Sequence, residues 1–568
     1  MEKRWLLKER GDERVVTTLE TGMSVPPAIA NLMAQRGITT VNQAEEFFNP
    51  SLKSLHDPFL MKDMNKAVDR ISTAITRNEK ILVYGDYDVD GTTSVALIYS
   101  FLRERHNSLD YYIPDRYNEG YGLSLQGIDY ASAGNCRLII ALDCGIKAAD
   151  RVKYARSKGI DVIICDHHLP GAEIPDATAV LDPKQPGCDY PYKELSGCGV
   201  GFKLMQAFSR VHNIPFEKIT PYLDLVAVSI GSDIVPMTGE NRVLAYYGLK
   251  QLNESPRLGF RKIIEKAKIR MPLAIEDVVF RIGPRINAAG RMESGSKAVE
   301  LLVSQNSQEA VTICDAIDRS NDSRRKKDSE ITSEARRMVS EDARMNNART
   351  TVLFRQGWHK GVIGIVASRL IETYYRPTVI LTESKDGFAT GSARSVPGYD
   401  LYQAIESCSD LLESFGGHMF AAGLTLKQEN LQLFRDRFEK FVSETIGEEH
   451  LVPSIKIDEE VALEDITMEF YKDLERFQPF GPDNMAPVFV SRRVKTLACL
   501  PVGNNGMHLK LTFARPNAEP IDAIAFGQAD MIELFRESGG VVDIAYSVEI
   551  NEFRGRTSMQ LNIKDIKA

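Results

Sequence analysis

Three carboxylates stand at alternate positions in DYDVDG, residues 86–91, directly after the apolar run Ile81-Leu82-Val83-Tyr84. In an extended chain, side chains at i, i+2 and i+4 share a face. Asp86, Asp88 and Asp90 would then gather like charges, unless a cation lay among them. Three aspartates on a solvated turn would also be tolerated, so this stretch alone leaves both readings open. Further on, RLIIALD (137–143) ends in Asp143, DVIICD (161–166) runs into Asp166-His167-His168, and Asp233 follows the apolar stretch LDLVAVSIGSD. Alone, an Asp after a strand is ordinarily a cap or turn former, and DHH could be a polar turn. Together these residues put carboxylates and imidazoles on three successive strand ends, where they would repel and desolvate one another without a cation. Mixed oxygen and nitrogen donors suit Mn2+ and tolerate Mg2+. The eight cysteines form no C-x-x-C pair, which disfavours structural zinc. Two divalent cations sharing a carboxylate would activate a water for attack on phosphorus.

The elements that must position these residues lie between about 75 and 245. KILVYGD reads as a strand, after which Gly91-Thr92-Thr93 opens the helix SVALIYSFLRE, and AADRVKYARSKG reads as a crossover helix between the next two strands. Apolar strands separated by helices predict a parallel sheet covered on both faces. In such sheets ligands bind beyond the carboxyl ends of the strands. Residues 299–347 contain no Pro or Gly and read as one helix, with apolar positions at Ile313 and Ile317 and again at Ile331, Ala335 and Met338. Its middle, NDSRRKKDSE, is polar all round, as expected of a helix crossing solvent. A second α/β unit follows with TVLFRQG, VIGIVASRLIETYY and PTVIL. After about 450, HLKLTF, IDAIAFG, VDIAYSVEI and SMQLNIKDI predict a small β-barrel or sandwich. The expected division is an N-terminal segment (1–74) packing on the catalytic domain (75–298), a connecting helix (299–347), a substrate-binding domain (348–446) and a C-terminal β-domain (447–568).

At 568 residues the chain is long enough for several cores, and 43% hydrophobic with 26% charged residues is ordinary for a globular protein. The start, MEKRWLLKERGDERVV, lacks the apolar core of a signal peptide, and no run approaches a membrane span, so the expected location is cytoplasmic. A net charge of −8 argues mildly against a protein coated in nucleic acid, but leaves room for a local basic groove. Patterns for a P-loop, a zincin and an α/β-hydrolase are missing.

DYDVDG, ALDCG, DHH and the later Asp233 resemble the four motifs of the DHH phosphoesterase superfamily. GPRINAAGRM (283–292), WHKGVIGIVASRL (358–370), GSARS (391–395), GGHMFAAG (416–423) and PFGPDNMAPVF (479–489) follow in the order seen in its bacterial single-strand-specific DNA exonucleases. The resemblance implies two parallel-sheet α/β domains of DHH and DHHA1 type joined by a long helix, plus an OB-fold barrel. It implies two divalent cations, Mn2+ or Mg2+, held by Asp86, Asp88, Asp90, Asp143, His167 and Asp233. Asp143 would bridge them, with Asp90 also in the catalytic set and His168 stabilising charge on the scissile phosphate. Ser392 and Arg394, with Arg116 of PDRYNEGYG, would hold the DNA 5′ end. His359, Gly416, Gly417 and His418 would line the strand's path, with Arg285, Asn287 and Arg291 where the strand enters. A salt-bridge role for either arginine stays open, and GGH alone reads as a flexible turn. In the β-domain Arg492, Arg493, Phe553 and Arg554 are candidates for a single-strand platform. Asp483 stands where the family often has Gly, and Met485 where it often has Pro, which bears on the local turn.

The resulting expectation is a 5′→3′ exonuclease releasing 5′-mononucleotides from single-stranded DNA in repair and recombination, selective because a duplex cannot enter the channel between the α/β domains. A single-strand-binding protein and a helicase are partners implied by resemblance. The alternatives are a phosphodiesterase of short oligonucleotides or cyclic dinucleotides, which would not need the connector and tail, and an inactive DNA-binding scaffold, which would be expected to lose ligands.

Overall fold

The computed structural model describes residues 2–553 and 555–568. Three amphipathic helices come early: α1 (Glu13–Met23), α2 (Pro27–Gln35) and α3 (Val41–Phe48). Asp12 accepts from the amides of Arg14 and Val15 at the start of α1, and Thr40 forms a capping box with Gln43 at the start of α3.

The first α/β unit holds β1 (Lys80–Gly85), α4 (Val89–Arg103), β2 (Leu109–Tyr112), β3 (Cys136–Leu142), β4 (Asp161–Cys165) and β5 (Ala179–Leu181). The strands run in the order β2-β1-β3-β4-β5, and every pairing is parallel. Ile139, Ile140, Ile163 and Ile164 are all buried, because helices cover both faces. The strand order reverses between β1 and β3, and that switch point opens a crevice at the carboxyl edge. Helices α5 (Gly197–Val211) and α6 (Leu223–Asp233) follow. The apolar stretch before Asp233 is α6 itself, buried along its length up to Gly231.

The uninterrupted helix expected over 299–347 is divided. After α7 (Gly283–Met292), α8 (Ser296–Val303) stops and α9 (Ser307–Glu341) starts afresh. Asn306 Oδ1 accepts from the amides of Gln308 and Glu309, a local bond that competes with helix continuation. The polar middle of α9 is not solvent-exposed all round either. Asn321 and Asp328 are buried, and Asp328 pairs with Arg369 at 2.8 Å.

The second α/β unit comprises β6 (Thr351–Phe354), α10 (Ile363–Tyr374), β7 (Thr378–Glu383), β8 (Phe388–Arg394), β9 (Leu412–His418), β10 (Ala421–Lys427) and α11 (Leu431–Thr445). Its sheet order is β9-β10-β8-β7-β6. The β6–β7 pair, linked through α10, is parallel, and the other three pairings are antiparallel. The short connections of β7–β8 and β9–β10 make hairpins, and β10 returns over the intervening segment to pair with β8.

The C-terminal strands β11 (Phe489–Val502), β12 (His508–Arg515), β13 (Ala518–Ala525), β14 (Val541–Phe553) and β15 (Arg556–Lys567) run β11-β12-β13-β15-β14, and β14 returns to β11. This closed five-stranded barrel has the strand order of an OB-fold and leaves no open edge. Sequence periodicity does not reveal β11. A bulge between Ser491 and Val494, with Arg493 at φ 51°, breaks its alternation.

The barrel core includes Leu509, Phe513, Ile544 and Leu561, and it continues into Val16, Leu19, Ile29, Leu32 and Phe48 of α1–α3. The N-terminal helices therefore share their core with the barrel, whereas the sequence reading put them on the catalytic domain. Residues just after them do reach the first unit: the His56 amide donates to Glu240 Oε1, which also pairs with the buried Lys203 at 3.1 Å. An amphipathic stripe shows that a helix needs a partner without showing which one. Asp483 adopts φ 59°, a left-handed conformation that glycine takes most readily. Among the described residues no helix is long and apolar enough to cross a membrane.

Candidate active site

Strand register brings the acidic residues to one edge. Gly85, Leu142, Cys165 and Leu181 are successive partners across β1, β3, β4 and β5. Asp86, Asp143, Asp166 and Asp182 are the residues that follow them. The alternating aspartates do not sit on an extended strand, however. β1 ends at Gly85, Asp88 is the N-cap of α4 with Oδ1 accepting from the Gly91 amide at 3.0 Å, and Asp90 lies in the first helical turn. A tight strand–helix turn gathers them, and it requires Gly91, since a Cβ there would stand 2.4 Å from the Asp86 carbonyl oxygen.

His167 Nε2 lies 3.2 Å from Asp143 Oδ1, 3.6 Å from Asp233 Oδ2 and 3.7 Å from Asp90 Oδ2. Among the described residues two groups could each hold an ion: Asp143, His167 and His168, and Asp90, His167 and Asp233. Asp86 and Asp88 adjoin these groups without joining either. Asp86 is fully buried, with Oδ1 accepting from the Gly122 amide at 3.2 Å.

Burial, followed by repulsion from Asp90, Asp88, Asp233 and Asp166, pushes the Asp143 carboxyl well above the usual range. Asp233 and Asp86 are raised in the same way, by burial first and neighbouring aspartates second. Burial also holds His167 below an ordinary imidazole, as a neutral ligand requires. Asp86 Oδ2, Asp143 Oδ1 and both ring nitrogens of His167 are buried without a hydrogen-bond partner among the described residues. Two like charges 4 Å apart at an effective dielectric of about 20 repel by about 4 kcal/mol. A divalent cation would relieve that repulsion and satisfy the orphaned atoms together, so this donor set fits such ions.

Asp166 has a different role. It accepts from the amides of Ile146 (2.9 Å), His167 (2.8 Å) and His168 (3.2 Å), and from His168 Nδ1 (2.7 Å). Burial opposes its ionisation, but these donors hold its pKa down at about 2. Burial likewise opposes the charge on His168, which the Asp166 hydrogen bond nevertheless raises above the ordinary imidazole value. Tyr121 Oη donates to the Asp143 carbonyl at 2.8 Å and lies 3.2 Å from His168 Nε2. Arg116 sits over the Tyr87 ring at 4.8 Å; burial and neighbouring aspartates raise Asp86 and Asp88, and the Arg116 charge offsets only a small part of that rise. Sequence reasoning assigned no role to Tyr121, to Asp166 as an orienting group, or to Asp182, which is buried and pushed up to about 7 by burial.

In the second unit, alternation along β8 puts Thr390, Ser392 and Arg394 on its half-buried face. Arg394 Nη1 donates to Ser392 Oγ at 2.9 Å. A Cβ on Gly364, in the first turn of α10, would stand 2.9 Å from both side chains, so this pair faces a helix N-terminus. GGH is the end of β9, not a turn. Its Gly416 pairs through Gly423 to Ser392, and His418 pairs through Ala421 to Arg394. The two glycines differ. Gly416 and Gly423 face open space, whereas at Gly417 (φ 151°) a Cβ would meet the Ala421 carbonyl oxygen at 2.3 Å.

Arg285 pairs with Asp318 at 3.0 Å and Arg291 donates to the Gly361 carbonyl at 3.0 Å, while Asn287 is half-buried on the same helix. His359 Nδ1 accepts from the Gly361 amide at 3.1 Å. Arg492 is paired with Asp543 (2.8 Å) and Glu460 (3.4 Å), which diminishes it as a phosphate contact. Arg554 and the Phe553 side chain lie outside the described residues.

Models of the DHH family N-terminal domain, the DHHA1 domain and the RecJ OB domain match residues 80–230, 347–444 and 457–565. The single-stranded-DNA-specific exonuclease RecJ of Bacillus subtilis is 38% identical over 564 residues, covering 99% of this chain and 70% of that protein. Its Escherichia coli counterpart is 33% identical over 572 residues, covering 97% of each. A crystal structure of RecJ from Thermus thermophilus in complex with Mn2+ superposes with a TM-score of 0.85 at 25% identity, over all of this chain and 79% of that one. Another from that organism contains Mg2+. Identity at this level over essentially the whole chain places it in the RecJ family of DHH-type exonucleases.

Proposed function

We propose that this chain is a metal-dependent exonuclease that degrades single-stranded DNA from the 5′ end to 5′-mononucleotides. The observation that carries the reading is the convergence of Asp90, Asp143, His167 and Asp233, with the orphaned buried atoms of Asp143 and His167, at the β1/β3 switch point. These four residues would hold two divalent cations, with Asp86 and Asp88 supporting them from the adjoining turn. The bound ions would supply Lewis-acid polarisation of the phosphoryl oxygens and activation of the attacking water.

The chain's own groups do the rest. Asp166 fixes the His168 ring through Nδ1 and favours its charged form, leaving the Nε2 edge to stabilise charge developing on a non-bridging phosphate oxygen. Ser392 and Arg394, beside the amino end of α10, form a seat suited to a terminal phosphate, which supports 5′ polarity. The open backbone at Gly416 and Gly423 lets a strand lie close to the sheet beside that seat. Arg116 would be a further contact for the DNA 5′ end, Arg285, Asn287 and Arg291 would contact the entering strand, and the barrel would be a single-strand platform. Such an enzyme acts in repair and recombination in the cytoplasm, where a helicase exposes its substrate and a single-strand-binding protein coats it.

The test uses long single-stranded DNA blocked at its 5′ or its 3′ end, with Mn2+ present. Mononucleotide release stopped only by the 5′ block, and abolished by EDTA or Asp143→Ala, is the expected result. Equal cutting of blunt duplex, or cleavage confined to dinucleotides, would overturn the proposal.

A further inference from the structure

Asp90 differs from the other aspartates of the cluster in being surrounded by donors. Its Oδ1 accepts from the Cys198 amide at 2.8 Å and from Ser229 Oγ at 2.7 Å, with Ser94 Oγ at 3.5 Å. Its Oδ2 accepts from the Gly197 amide at 2.7 Å. Gly197 and Cys198 are the first two residues of α5, so Asp90 sits on the amino end of a 15-residue helix. Each carboxylate oxygen offers about two lone pairs. Those of Oδ1 are taken, one of Oδ2 remains, and Oδ2 is the atom that faces His167.

Ser229 is fully buried and lies 2.7 Å from Ser196 Oγ as well as from Asp90. A hydroxyl has one proton, and a carboxylate can only accept, so Ser229 donates to Asp90 and receives from Ser196. Ser196, the N-cap of α5, accepts in turn from the Gly199 amide at 3.1 Å. The bonds run in one direction, from Gly199 N–H through Ser196 and Ser229 to Asp90 Oδ1, and such chains polarise one another. Ser229 is also four residues before Asp233 on α6, which puts both side chains on the same helix face.

We propose that Ser229 is a positioning residue of the cation site: its hydroxyl occupies Asp90 Oδ1 and leaves Oδ2 as the one atom that Asp90 offers to an ion. Helix α6 then sets two acidic residues at once, presenting Asp233 directly and orienting Asp90 through Ser229. The inference rests on the proposed metal site and adds a group to it that touches neither ion nor DNA.

The test is Mn2+ binding to the metal-stripped full-length protein, read from the electron paramagnetic resonance of free Mn2+. Ser229→Ala removes the hydroxyl, and Ser229→Cys keeps a weak donor of similar size. Ser209→Ala removes another buried hydroxyl, from α5, that has no partner among the described residues. Loss of an outer-shell partner typically costs 10–100-fold in metal affinity. The expected result is a loss of about 10-fold or more in one class of site for Ser229→Ala, a smaller loss for Ser229→Cys, and wild-type binding for Ser209→Ala. Identical isotherms for wild type and Ser229→Ala, or an equal loss in Ser209→Ala, would overturn the positioning role. Failure of the wild type to bind Mn2+ would instead overturn the metal site on which that role rests.

Discussion

His168 Nδ1 donates to Asp166 Oδ1 across 2.7 Å, and Asp166 also accepts from the amides of both histidines in its own turn and from the Ile146 amide beyond the neighbouring strand. The imidazole therefore has one ring edge fixed and the other turned toward Tyr121 and the crevice. Asp166→Asn keeps the size of the side chain and loses its charge. It is expected to lower kcat by about 10–100-fold, as loss of an orienting partner does, while leaving the binding of single-stranded DNA unchanged. Single-turnover kinetics beside a filter-binding measurement check both halves.

Asp143 is held where four other carboxylates repel it. In EDTA, Asp143→Asn is expected to melt above the wild type, because the amide carries no charge for the neighbouring carboxylates to repel. Adding Mn2+ should reverse the order, because ions stabilise the wild type in proportion to their binding. Calorimetric scans of both proteins with and without metal decide this, and a metal-free variant less stable than wild type would refute it.

The two glycines of GGH should fail differently. Gly416→Val projects into open space, so folding should be unaffected while KM for single-stranded DNA rises about 10-fold or more, an effect equivalent to about 1.4 kcal/mol. Gly417→Ala drives a methyl into the backbone of β10, so its loss of activity should come with a lower Tm. Steady-state kinetics paired with thermal melts separate the two.

His359 is held below the ordinary imidazole pKa by burial and then by Lys327. In the window below about 6.5 the unfolded chain then binds more protons than the folded one. Stability from this group is accordingly present above the unfolded pKa and lost as pH falls through the folded value. Urea melts at pH 7.5 and 5.5 should show a smaller difference for His359→Gln than for the wild type, and an imidazole NMR titration should place the His359 midpoint below 6.5.

Much of the candidate metal site was legible because strand ends are legible. Asp143 and the DHH turn sit where apolar runs stop, and strand register does the rest. The alternation read in DYDVDG is not what gathers its aspartates at the crevice, since Asp88 and Asp90 belong to a helix start and the turn is set by Gly91. Asn306 divided the expected connector because a single side-chain cap can stop a helix that propensity would continue. Asp166 stood in a recognised motif, but its partners include the Ile146 amide, 20 residues away, which only the folded sheet brings beside it. Ser229 was invisible for a similar reason: nothing in LDLVAVSIGSD marks a serine whose partners lie 33 and 139 residues away.

The core shared between α1–α3 and the barrel has a consequence for how this protein is made. About 410 residues separate Phe48 from Val461, the nearest residues of the two halves of that core. At roughly 5–20 residues per second, a ribosome needs roughly 20–80 s to cover that distance. For all of that time the first three helices have left the exit tunnel with their apolar stripe uncovered. Exposed apolar surface of that kind invites aggregation, and it is the barrel strands, made about 400 residues later, that cover it.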